Sequence, residues 1–425
     1  MVYKTYKCNS FNVHTIKTDR FKTAHMEIMF RKKVVKEELC AYTFLMDMLS
    51  GSTKNYPVKR DLIVQFEELY KTSAYGVTVK TGNVLNATMI VDFINPKFID
   101  DKNYLENVIK LPMEMLLNPN VVNEEFDLKQ FNIVKERLIR DIKSIKDNSF
   151  KYAVRSAFDV MDENSPTSFS ILGTIEDVNN ITPATLYKTY KTLFKECLCD
   201  IFVIGDINMD ELVSFIKKYF KHRIINNDNL ELPVDNKMRK KAITKCEPSE
   251  NIQANLVMIY NIADLSDIAR HIDFQVFNYI FGNGGLTSKL YRKLREENSL
   301  CYSVNSLYMK YDKLLVIHVS LEQANVNKAI NLIKKCVKEM ISGDFLDSDI
   351  VDAKTNLIMS LDLANDNNVA ILNNYVFNYF DNLPGLDERK EMLKKVTKED
   401  IMKVAKKLKI NTVYVLEGRC SECTK

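Results

Sequence analysis

Apolar positions follow two periods along this chain, a strand-like alternation and a helical stripe, and the order in which the periods change is repeated. Alternation at Val77 and Val79, then at Ala87, Met89, Val91 and Phe93, broken at Gly82-Asn83, predicts a hairpin. Upstream, His25-Met26-Glu27-Ile28-Met29-Phe30 predicts a strand and residues 39–49 a helix, with Leu39, Tyr42, Met46 and Leu49 on its core stripe. Thr43 and Asp47 fall one turn apart on a neighbouring face of that helix. After Asn118-Pro119, the stripe Phe131, Val134, Leu138, Ile142 and Ile145 predicts a long helix.

The second half repeats the plan. Asn255-Leu256-Val257-Met258-Ile259-Tyr260 precedes a helical stretch over 269–281, and a long helix follows Gly343, with Val351, Leu357, Ile358 and Leu361 among its apolar residues. Thr182-Pro183 opens a helix that leads to the strand Ile201-Phe202-Val203-Ile204 and Gly205; Thr397 opens another that leads to Val413-Tyr414-Val415-Leu416 and Gly418. Each opening is an N-cap threonine followed by a Pro or a capping-box carboxylate, so the copies share local physics as well as order. Strands followed by long helices on one side of a mostly antiparallel sheet give an α+β sandwich in each half.

The 425 residues suit two domains, each large enough to bury a core without staples. The boundaries expected are 1–224, a polar linker over 225–244 that contains Pro233, and 245–425. With 46% hydrophobic and 27% charged residues the chain reads as globular. Its 60 basic and 56 acidic residues lack the concentrated basic face of a nucleic-acid binder. The N-terminal residues lack a secretory core and no apolar run would span a membrane, so a cytoplasmic protein is expected. Nine cysteines, an odd number, fit reduced thiols. Cys420 and Cys423 have ligand spacing but no second pair, and the role of that CxxC stays open.

Candidate chemistry is mostly excluded. A catalytic zinc needs three protein ligands and an open position for water, yet His14, His25, His222, His271 and His318 are scattered, no two of them four residues apart. Each reads as structural. The glycine-rich run 282–289 lacks the Gly-Lys-Ser/Thr end of a phosphate loop, and no Gly-x-Ser-x-Gly elbow occurs. The lysine-rich clusters at 237–241 and 394–409 read as solvated surface.

One stretch carries a resemblance. Gly284-Gly285-Leu286-Thr287-Ser288-Lys289-Leu290-Tyr291, continuing through Leu294-Arg295 to Leu300-Cys301-Tyr302-Ser303, resembles the second-half signature of the pitrilysin/insulinase peptidases. Their zinc lies in the first half on an inverted HxxEH helix. Here that place reads Thr43-Phe44-Leu45-Met46-Asp47, and the distal glutamate ligand falls near Asp141. The resemblance covers nearly the whole chain. Within the family the chain resembles a metal-free branch in Gram-positive bacteria associated with modification of elongation factor P, through Phe126-Asp127, Lys143-Ser144-Ile145-Lys146-Asp147 and Lys151-Tyr152-Ala153.

What this implies is an inactive homologue that binds no cofactor and pairs with an HxxEH-bearing subunit, which would hold the zinc. The two chains would enclose a peptide chamber, to which Arg295 and Tyr302 contribute in trans, with no nucleic-acid or membrane partner. A guanidinium and a phenol are donors suited to a peptide carbonyl. The competing expectation is a structural or peptide-holding subunit, with Arg295 among surface charges and Tyr302 in the core.

Overall fold

The computed structural model describes residues 1–220 and 230–419. The chain folds into two compact units. The first comprises 1–142, 170–232 and 366–379; the second comprises 143–169, 233–365 and 380–425.

The first unit is built on a six-stranded sheet. Its strands are β1 (Val2–Lys7), β2 (Asn12–Lys17), β3 (Thr23–Lys33), β4 (Ser73–Thr81), β5 (Val84–Ile94) and, after the small hairpin of β6 (Val121–Val122) and β7 (Glu125–Phe126), β8 (Leu198–Gly205). The order is β1-β2-β8-β3-β5-β4, antiparallel except for β2 beside β8. The expected hairpin is β4–β5, closed by the pair Thr81 and Val84, with Gly82 at φ 54° in the turn. Its helices include α1 (Leu39–Leu49), α2 (Lys59–Glu68), α3 (Tyr104–Leu117) and α4 (Leu128–Ser144).

In the second unit β9 (Ile243–Glu247), β10 (Ala254–Ile262), β11 (Cys301–Met309), β12 (Leu314–Leu321) and β13 (Leu408–Leu416) form a sheet of order β11-β12-β10-β13-β9. Only β13 and β9 are parallel. Matching β2, β8, β3, β5 and β4 to β9, β13, β10, β12 and β11 reproduces every neighbour and every direction. The repetition read from the apolar pattern is therefore a repeated sheet, with β1 added in the first copy. Thr182 and Thr397 cap their helices as expected, each accepting a bond from the main chain three residues on.

The units do not follow the sequence boundary, because each sheet has a second face to cover. All nine residues of β10 are buried. Leu256, Met258 and Tyr260 pack among the helices on one face, whereas Val257 and Ile259 meet Ala153, Ala157 and Met161 of α5 (Ser149–Asp162) on the other. Ala153, Ala157 and Met161 recur every four residues, so α5 presents one narrow apolar stripe. In the first unit the helix Asn368–Asp381 brings Tyr379 onto His14, ring centroids 4.3 Å apart, and Tyr375 onto Tyr3 at 5.0 Å. Each half of the sequence thus gives one helix to the other unit, a feature no local period announces.

Three local expectations change. The stripe of α4 stops at Ser144, so Ile145 lies beyond the helix. On the helix Asp347–Ala364 the buried residues are Ile350 and Ala353, whereas Val351 is 61% exposed. The described part of the linker is docked: Leu232 and Val234 are buried, and Leu232 accepts a main-chain bond from Asn83.

Candidate functional site

Helix α1 is where a zinc motif would sit, and its residues do other things. It is buried nearly all round, not along a single stripe, because Cys40, Phe44, Leu45 and Met48 are as covered as the expected Leu39, Tyr42, Met46 and Leu49. Thr43 directs its hydroxyl to the carbonyls of Leu39 at 3.1 Å and Ile171 at 2.7 Å. Met46 is 1% exposed and lies against Gly76 of β4, where a Cβ would come within 2.6 Å of the Met46 carbonyl oxygen. Asp47 is ion-paired with Arg137 of α4. Burial pushes the Asp47 carboxyl up, and Asp141 pushes the same way, against the pull of Arg137.

Thr43, Met46, Asp47 and Asp141 therefore do not fit a zinc ion. One hydroxyl is committed to main-chain oxygens, the thioether is in the core, and the guanidinium of Arg137 already neutralises Asp47. Asp141 is exposed, one turn beyond Arg137 on α4. Arg137 is the residue that sequence reasoning passed over. Its signal was the spacing of four residues before Asp141, which sets the two one turn apart along α4.

Beside this ion pair opens a cavity of about 650 Å³, lined by Asp47, Gly51, Ile63, Tyr75, Gly76 and Arg137 among others. It lies along β4, the edge strand of the sheet. The Gly76 N–H donates to the Ser50 hydroxyl at 2.6 Å, and that hydroxyl donates to the Met46 carbonyl at 2.6 Å.

Arg295 and Tyr302 sit at the matching edge in the second unit. Arg295 lies in a π-helical turn, Arg292–Glu296, and Tyr302 in β11. Pairing with β12 shifts register between Cys301 and Ser303, so Tyr302 falls in a bulge and is 56% exposed. The expectation of a core tyrosine is corrected: the bulge turns the ring outward. Arg295 is exposed, donates from Nη1 to the Tyr302 carbonyl at 3.0 Å, and its guanidinium lies 5.2 Å from the Tyr291 ring centroid.

The four described histidines are each engaged. His14 meets Asp200 at 3.3 Å; His25 lies between Asp92 at 2.7 Å and Glu27 at 3.0 Å; His271 faces Asp381 at 3.4 Å; His318 meets Asn255 at 3.0 Å. Among the described residues no three His, Cys, Asp or Glu gather as a metal site. The seven described cysteines are free thiols, and His222, Cys420 and Cys423 lie outside the described residues. No helix among the described residues is long and apolar enough to cross a membrane.

Comparison with known proteins now adds to the geometry. Residues 180–357 match the peptidase M16 inactive domain. The probable inactive metalloprotease YmfF of Bacillus subtilis is 27% identical over 434 aligned positions, 97% of each chain. The chain is similar to inactive M16 peptidase homologues. The name of that relative, a probable inactive metalloprotease, is in keeping with what stands at Thr43, Met46 and Asp47 here. The fold is shared with a conserved protein from Enterococcus faecalis V583, with a TM-score of 0.93 and 24% identity over 98% of this chain and 99% of that one. It is shared too with a peptidase M16 inactive domain from Pseudomonas fluorescens, at 0.78 and 16% over 99% and 98%.

Proposed function

We propose that this M16 homologue is the metal-free subunit of a cytoplasmic heterodimeric peptidase. Its partner is a related chain that keeps HxxEH and with it the zinc and the general base. This chain closes the peptide chamber and presents Arg295 and Tyr302 to the substrate in trans. A peptide in extended form adds to the open edge at β4, where main-chain hydrogen bonds require no particular side chain. The observation that carries the reading is the exposed pair itself: a bulge in β11 turns Tyr302 out beside Arg295, at the edge corresponding to β4. A buried or scattered pair would have supported nothing of the kind.

Mixing the purified chain with an HxxEH-bearing M16 relative and following cleavage of a fluorogenic peptide tests it. Cleavage by the mixture well above that of either chain alone is expected; a mixture no faster than the relative by itself overturns the proposal. A second reading, a peptide-holding subunit with no part in the chemistry, is favoured by the bond from Arg295 to the Tyr302 carbonyl, which gives the guanidinium a structural task. Under that reading Arg295→Ala leaves cleavage by the mixture unchanged.

A further inference from the structure

The edge of β4 is not uniform along its length. In a two-residue hairpin the closing pair exchanges main-chain bonds, and the bonded positions alternate from there. With Thr81 opposite Val84, the residues Val79, Val77 and Tyr75 turn their N–H and C=O groups toward β5, whereas Thr78 and Gly76 turn theirs to the open side. The bond from the Gly76 N–H to Ser50 agrees with this phase. An extended segment lying along β4 can pair at Thr78 and then loses the next N–H donor, because Ser50 already holds that of Gly76.

At that point the cavity begins. Its wall includes Ser73, Ala74, Tyr75 and Gly76 of β4, and it carries Arg137, Lys59 and Lys71 against Asp47 and Glu67. Asp47 is matched by Arg137, which leaves the two lysines facing a single further carboxylate. A strand whose pairing is weakened beside an excess of positive charge is suited to end there in a negative group. Arg137 can keep Asp47 on one side of its guanidinium and still offer N–H donors on another.

We infer that the cavity beside β4 receives the C-terminal carboxylate of an extended peptide, held by Arg137, Lys59 and Lys71. This rests on the proposed addition of a peptide strand to β4 and goes further by naming which end of the peptide is recognised. The chain thereby selects segments that terminate at the cavity over those that run through it.

The test is fluorescence anisotropy with the full chain and a short N-terminally fluorescein-labelled peptide of alternating valine and threonine. The peptide is made as the free acid, as the C-terminal amide, and as an amide ending in aspartate. The free acid is expected to bind about tenfold more tightly than the amide, the size of one charge-assisted hydrogen bond. Arg137→Gln should abolish that preference. Because it strips Asp47 of its counter-ion, the exposed substitution Lys71→Gln is the second variant, expected to reduce the preference with the melting temperature unchanged. Equal binding of acid and amide overturns the carboxylate site while leaving strand addition standing. Tight binding of the aspartate amide alone overturns the assignment to the chain terminus, and binding of none of the peptides overturns strand addition itself.

Discussion

Arg295 donates from Nη1 to the main-chain carbonyl of Tyr302 across 3.0 Å, so the two residues of the second-half signature are tied to each other through the backbone and not through the phenol. The bond fixes the bulge that points the ring outward and leaves the remaining guanidinium N–H groups and the hydroxyl facing solvent. In each unit a side chain close to the edge strand occupies one of that strand's main-chain groups, Ser50 on Gly76 and Arg295 on Tyr302. These contacts limit where another strand can add.

Replacing Arg295 with Ala is expected to cost this chain less than about 1 kcal/mol, because an exposed hydrogen bond adds little net stability. In the proposed heterodimer its effect should appear as cleavage reduced about tenfold or more, with the pair intact by size-exclusion chromatography. Tyr302→Phe removes the hydroxyl while keeping the bulge and should give a smaller loss in the same assay. A chain that melts several degrees lower after Arg295→Ala would point to a structural task for the guanidinium.

His25 gives a pH dependence with a definite sign. Burial alone would lower its pKa, but hydrogen bonds to Asp92 and Glu27 outweigh burial and raise it to about 9. Both ring nitrogens face carboxylates, so the folded state favours the imidazolium. The group's contribution is fully present below its unfolded value near 6.5 and is lost as pH rises through about 9. Its size is on the order of 2 kcal/mol once the half-exposed side chain of Asp92 is allowed for. Titrating the His25 Cε1–H resonance should give a midpoint near 9, which Asp92→Asn moves down. A midpoint already near 6.5 in the unmodified chain would refute the arrangement.

The helix caps test the local reading. Thr182 accepts from the N–H of Thr185 at 3.1 Å, and Thr397 from that of Asp400 at 3.3 Å. Thr182→Ala and Thr397→Ala should each cost about 1 kcal/mol in urea denaturation. The loss should be greater at Thr397, whose hydroxyl also donates to the charged Asp400 carboxylate at 2.7 Å, whereas that of Thr182 meets only the Thr185 hydroxyl at 3.2 Å.

Those caps, the hairpin at Gly82-Asn83 and the span of α1 were legible because each is set by residues a few positions apart. The repeated order of strands was legible for the same reason, being a sequence of local periods. What α5 covers was not: Ala153, Ala157 and Met161 declare an apolar stripe but not which sheet it meets. At the site, the absence of zinc ligands followed from residue types alone. The pairing of Asp47 with Arg137 depends on the approach of two helices far apart in sequence, and the exposure of Tyr302 depends on a bulge that alternation cannot reveal.

Gly76 should tolerate no side chain. A Cβ there would lie 2.6 Å from the Met46 carbonyl oxygen and 2.9 Å from the Met46 Cβ, atoms of a helix that is itself packed on all sides. Gly76→Ala is therefore expected to destabilise the chain by about 1–3 kcal/mol, the range for overpacking a filled core, measured by urea denaturation. A change below about 0.5 kcal/mol would show that α1 moves away from β4 more easily than its burial suggests.

Restoring the motif letters should not restore the metal. In the triple variant Thr43→His, Met46→Glu and Asp47→His, the carboxylate at position 46 enters a site that is 1% exposed in the present chain, against Gly76. Burying it without a partner costs several kcal/mol or drives it to take up a proton. Arg137, no longer matched by Asp47, would stand where a dication needs space, and repulsion between the two opposes binding. The distal position holds Asp141, one methylene shorter than the family's glutamate, on an exposed face of α4. Atomic emission on the dialysed variant should therefore find well under one zinc per chain, together with a lowered melting temperature. Adding Arg137→Ala should restore part of the uptake if the guanidinium is the main obstacle. Stoichiometric zinc in the triple variant, with an unchanged melting temperature, would mean that α1 is still shaped for a metal and that only its letters have been lost.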